Sequence, residues 1–197
     1  VVDDITINVE AVRQSAHAAD EIRNISTAPY LSYDYEKNED EYSFSNVIIR
    51  FRGIVSKSLW DELDGDDNNI LGYGILLSTE SYLNGVKLES LYDEVDGVNV
   101  KKFYLETDDM PALLEAENYD EIDVDSYSWN LRKAVSTKNL TRRYVATTFV
   151  NTRDYGVVFF NQASASVKSV AEDMLNTDFY DENYREGSLA HLANLDD

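Results

Sequence analysis

The chain has 197 residues, with 38 acidic side chains against 17 basic ones, a formal net charge of −21 and no cysteine. Thiolate nucleophiles, thiolate metal sites and disulfide staples are excluded together. Nucleic acid and anionic membrane surfaces are disfavoured, because affinity for both rests on Lys and Arg, and no basic stripe interrupts the acid.

No apolar run approaches the ~20 residues of a membrane span. The apolar share of 43% is ordinary, and a chain of this length buries enough surface to fold without a staple. Val1 opens the sequence with neither Met nor a charged-then-apolar leader, as in a mature protein or an excised fragment.

Residues 1–41 read as an N-terminal extension or first strands. Ile5, Ile7 and Val9 alternate as in a strand, and Val12, Ala16 and Ala19 continue at helical spacing. His17 is a lone imidazole without convergent partners. Tyr30, Tyr33, Tyr35 and Tyr42 then crowd around an acidic run, with Lys37–Asp40 as the turn between two strand ends. Tyrosines suit the pleated face of a sheet. Tyr30, Tyr33 and Tyr35 are also the candidate aromatic surface for a sugar or protein ligand.

Residues 42–181 form the expected β core. Asn46–Ser56 alternates cleanly, with Val47, Ile49 and Phe51 on one face. Leu59, Trp60 and Leu63 follow at helical spacing, with Ser58 as the expected N-cap. Asp61–Asn69 is the densest oxygen-ligand stretch. Asp64, Asp66, Asp67 and Asn68 are the candidate calcium ligands, although Gly65 falls too early for an EF-hand loop and no closing Glu follows.

Ile70–Thr79 is short and apolar, as a buried central strand would be, with Gly72 and Gly74 marking a bulge or a close backbone approach. Val98–Thr107 has strand character. Pro111 opens what reads as one helical turn, and Asp120, Asp123 and Asp125 form a second, weaker calcium candidate. Tyr127, Trp129 and Leu131 alternate in another strand.

Arg142–Leu175 carries the strongest signal. Tyr144–Val150 is rich in β-branched and aromatic residues. Asn151–Gly156 is a hairpin loop and Val157–Phe160 returns. From Ser164 the period changes to that of a helix, through Val167, Val170, Ala171 and Met174. This hairpin is expected to be the central pair of the fold. A last helix over residues 182–197 is expected to pack on the core or leave it, with Leu189, Leu192 and Leu195 on its apolar side. His191 on that helix reads as surface or packing.

Four segments carry a resemblance: IRFRGIVSKSLW (Ile49–Trp60), LGYGILLS (Leu71–Ser78), SYSWNLRKA (Ser126–Ala134), and the Arg142–Leu175 stretch with Tyr144-Val145-Ala146 and SVKSVA (Ser166–Ala171). Together they resemble a module of multi-domain surface proteins of Gram-positive and wall-less bacteria. The resemblance spans roughly Tyr42 to Leu175. It leaves out the first 40 residues and the acidic insertion Asp108–Asp125.

The resemblance implies a mainly β protein, an immunoglobulin-like antiparallel β-sandwich with a few short helices, including C-terminal ones. It implies an extracellular, cell-surface setting and brings no catalytic residues; a virion setting is expected only under the virion alternative. The expected function is a non-catalytic module mediating binding or assembly. Its partner would be a protein or glycan at a surface, or copies of itself. A virion structural protein (capsid decoration or fibre) is one alternative. A glycan-acting enzyme with paired carboxylates is the other, since such a pair can run glycoside hydrolysis. No cofactor is expected beyond calcium at the acidic loops.

Overall fold

The computed structural model describes residues 30–39, 41–65, 68–106, 110–118, 122–176 and 186–196. The strand-then-helix reading of residues 1–23 and His17 therefore lie outside the described residues. The fold is a mainly β, two-sheet antiparallel sandwich.

One sheet has the order β1-β2-β6-β5 (β1, Tyr30–Asn38; β2, Glu41–Ser56; β5, Ala112–Leu114; β6, Ser126–Ala134). The other has the order β4-β3-β7-β8 (β3, Ile70–Thr79; β4, Lys101–Glu106; β7, Tyr144–Thr152; β8, Gly156–Ala165). Three helices of eight or more residues (α1, Lys57–Asp64; α2, Val167–Asn176; α3, Glu186–Ala193) stand beside single helical turns at Glu80–Leu83, Leu88–Leu91, Ala116–Asn118 and Thr137–Asn139.

Period two decides what each strand buries. Val47, Ile49 and Phe51 of β2 meet Tyr73, Ile75 and Leu77 of β3 in the core between the sheets. The second sheet is covered on its outer face too. Leu76, Val145 and Phe149 pack there with Leu83, Leu88 and Val100 of the excursion between β3 and β4. That double cover explains why nearly every residue of β7 is buried, where simple alternation would leave half of them wet.

The centre of the sandwich is glycine-dependent. The Trp129 indole crosses from β6 and donates Nε1–H to the Gly74 carbonyl of β3 at 3.1 Å. It also packs on Tyr73 with ring centroids 5.0 Å apart. Room for the indole comes from Gly53, its register partner on β2. A Cβ on Gly53 would stand 2.9 Å from the indole and 2.5 Å from Thr148 Cγ2. A Cβ on Gly74 would collide with the Phe103 carbonyl of β4 and lie 2.7 Å from the Phe149 ring. The bulge expected near Gly72 is present as a register shift between Ile70 and Gly72 against β7.

Four expectations are corrected. The central pair of the second sheet is β3–β7, and β8 is an edge strand, because β3 takes the other side of β7. The helical turn expected after Pro111 is strand β5, pairing Ala112–Leu114 with Ser126–Ser128. Leu114 there buries against Ile54 and Ile122, and an edge position tolerates the missing amide of Pro111. The N-cap of α1 is Ser56, whose hydroxyl accepts from the Leu59 amide, while Ser58 already lies within the first turn. The return strand β8 runs on to Ala165, past the expected Phe160.

The C-terminal segment is tied to the sandwich where it is described. Leu189 and Leu192 of α3 join the main core with Val167, Val170 and Ala171 of α2. The Tyr33 hydroxyl of β1 meets Ser188 at 2.8 Å. Residues 177–185, within the expected last helix or the run leading to it, lie outside the described residues.

Gly74→Ala is expected to destabilise the fold by about 1–3 kcal/mol through overpacking. The urea midpoint would fall. Amide exchange would rise first in β4, the strand whose backbone the new methyl displaces. Wild-type protection of β4 in the variant would show that the close approach does not constrain this sheet.

Candidate functional site

The sequence-nominated ligands do not share one site. Asp64 caps the turn after α1, its Oδ1 accepting from the Ile70 amide at 3.0 Å and its carbonyl from the Asn69 amide at 2.9 Å. Asn68 holds the left-handed turn, with φ of 49°. Asp66 and Asp67 lie outside the described residues.

Buried Asn69, which the sequence reading passed over, organises this end. Its Nδ2 donates to the Leu63 carbonyl at 2.9 Å, its Oδ1 accepts from the Asp154 amide at 2.9 Å, and its carbonyl accepts from the Arg153 amide at 2.8 Å. The loop is thereby stapled to the β7–β8 turn. Asp125, of the second calcium candidate, accepts from the Ala116 amide through its carboxylate and from the Lys57 amide through its carbonyl. Asp120 lies outside the described residues. Among the described residues, no group of three or more His, Asp or Glu side chains stands at metal spacing.

The tyrosines form a cross-strand ladder. Tyr33 packs edge-on against Phe44 at 5.5 Å, Tyr35 lies 5.9 Å from Tyr42, and His191 of α3 lies over Tyr42 and Phe44 at 5.2 and 5.8 Å. Tyr33 and Phe44 are partly buried against the core. These rings seat α3 on the β1–β2 hairpin. Tyr30 begins β1, but its side chain lies outside what is described.

What the sequence did not show is a basic cleft. At the end of the sandwich where β3 finishes and β7 begins, a cavity of about 430 Å³ is lined by Lys138, Arg142 and Arg143 with Ser81, Asn139 and Thr141, and with Glu80 on its wall. A second cavity of about 200 Å³ adjoins it, sharing Asn139 and Arg142 and adding Lys101, Lys133 and Asn99. Five of the chain's 17 cations thus meet at one place.

The strand ends bring them together. Lys133 closes β6, Lys101 opens β4, and Lys138–Arg143 is the connection to β7, turned by a one-turn helix whose Ser136 hydroxyl accepts from the Lys138 amide. Arg143 is fixed, its Nε 3.1 Å from Ser164 Oγ and 3.5 Å from the Glu80 carboxylate. Among the described residues, Lys101, Lys138 and Arg142 form no ion pair. Lys133 donates to the Ala134 carbonyl at 2.8 Å. Burial, and then the nearby Lys101 charge, hold its ammonium below the usual lysine range.

The rim beside Asn99 depends on one carboxylate. Asp96 accepts from the amides of Val98, Asn99 and Val100 at 2.8, 2.7 and 3.0 Å, and from Asn99 Nδ2 at 2.8 Å. The Val100 and Val98 amides are the largest influences holding its carboxyl at about 2. That lies below the ~3.9 of an unfolded Asp. The stabilisation is therefore complete above about pH 4 and is lost as pH falls toward 2. Asp96→Ala is expected to melt below wild type at neutral pH, with the gap closing between pH 4 and pH 2. A gap that persists unchanged at pH 2 would contradict the assignment.

Comparisons with protein-family profiles, with curated protein sequences and with solved structures give no match.

Proposed function

We propose that the chain is a non-catalytic surface or structural module that mediates binding or assembly, built on an immunoglobulin-like sandwich. The observation that carries the reading is the strand order. With the eight strands taken as A, B, C, C′, D, E, F and G, the sheets β1-β2-β6-β5 and β4-β3-β7-β8 read A-B-E-D and C′-C-F-G, an order that supports the immunoglobulin-like reading. Such sandwiches hold variable loops at their two ends, and binding residues concentrate on loops positioned by a rigid scaffold. The basic cleft is at one such end.

An extracellular, cell-surface location rests on the sequence resemblance, and a virion location is the alternative because virion proteins use the same sandwich folds. The acidic surface suits crowded settings, since like charges keep neighbouring molecules apart and hydrated.

The reading is tested against glycan hydrolysis, the strongest enzymatic alternative. Incubated with a panel of polysaccharides, the purified chain is expected to retain some and cleave none. Turnover abolished by substituting a single Asp or Glu would replace the binding module with an enzyme.

A further inference from the structure

We propose that the cleft at the β6–β7 end is a binding site for an acidic sugar, that is, a hydroxyl-rich ligand carrying a carboxylate or another oxyanion. The proposal deepens the binding-module reading and rests on it.

Charge supplies the first argument. Lys101, Lys133, Lys138, Arg142 and Arg143 face Glu80 on the wall and Asp96 behind the Asn99 rim, so positive charge is in local excess. Glu80 is engaged by Arg143 and Asp96 by three backbone amides. Neither is directed at Lys101, Lys138 or Arg142. At physiological salt the Debye length is about 8 Å, so this local excess prevails in the cleft over the distant acids.

The second argument is the wall. Between the cations stand the amide of Asn139 and the hydroxyls of Ser81 and Thr141. These give and accept hydrogen bonds from sugar hydroxyls, while the guanidinium of Arg142, shared by both cavities, offers a planar fork to a carboxylate. A volume of about 430 Å³ is that of a small-molecule site. Its polar lining disfavours an apolar ligand. A nucleic-acid strand needs cations along its length, and the surrounding surface of a chain with net charge −21 repels one.

The test titrates the isotopically labelled full chain with glucuronate, with glucose and with inorganic sulfate, following backbone amides by NMR. Glucuronate is expected to shift the amides of Ser81, Asn139, Arg142 and Arg143, and the shifts are expected to weaken as salt rises. Sulfate should shift a subset of them and glucose none. Arg142→Glu and Lys133→Glu should each weaken glucuronate at least about tenfold, since each removes a charged contact and adds a repulsive one. Arg142→Gln and Lys133→Gln, which remove the charge without reversing it, guard against loss of fold and should weaken binding less.

Equal shifts from glucose and glucuronate would overturn the anion specificity. No shift of these amides with millimolar glucuronate, or shifts unaffected by both charge reversals, would overturn the site. Retention of a neutral polysaccharide through other residues would still leave the binding module standing. Concentration-dependent self-association by sedimentation, abolished by Arg142→Glu, would instead give the cleft to carboxylates of a second copy and overturn the sugar.

Discussion

The two sheets are held in register by the indole of Trp129, which reaches across the sandwich to a backbone carbonyl. A buried carbonyl needs a donor, and Gly74 O receives one from Trp129 Nε1 at 3.1 Å. The geometry is possible only because positions 53 and 74 lack a Cβ. Trp60 of α1 packs against the same cluster, its ring 5.6 Å from Tyr73 and 5.0 Å from Tyr127. The helix that closes one end of the sandwich is thus referenced to the same indole as the sheets.

With the centre fixed, the ends are free to differ. At one end α1, the Asn69 staple and the β7–β8 turn gather Asp61, Glu62, Asp64 and Asp154. At the other end the β6–β7 connection and the start of β4 gather the cations. The ion pairing differs accordingly. At the acidic end Lys57 pairs with Asp61 one helical turn away, and the Asp64 carboxylate turns inward onto the Ile70 amide. At the basic end only Arg143 takes up a carboxylate among the described residues. Pairing between exposed groups contributes little to stability, so leaving Lys101, Lys138 and Arg142 unpaired costs the fold little.

The strands were legible where one physical signal dominated. Val47–Phe51 alternates because one face is core and the other is not, and Ile70–Thr79 lacks charge because it is buried on both faces. Pro111 misled because a proline near the start of a helix and one beside an edge strand satisfy the same local rule, that no amide is needed there. Ser56 and Ser58 are equally good capping residues by type, and only where β2 ends decides between them. The place of β8 was not legible either. Whether a hairpin is central or peripheral depends on which strand takes its outer edge, and β3 lies some 70 residues earlier in the chain.

The basic cleft was hidden for a related reason. Lys101, Lys133 and the Lys138–Arg143 connection are no stripe in sequence, and each alone looks like a solvated surface cation in an acidic chain. They converge because β4, β6 and β7 all begin or end at one end of the sandwich. Like charges brought together in this way repel, and the repulsion from Lys101 adds to burial, the larger cause, in depressing the Lys133 ammonium. A fold with 38 carboxylates has ample means to neutralise such a cluster. Among the described residues only Glu80 does so, and only for Arg143, so the remaining cations retain the capacity to pair with an anion from outside the described chain.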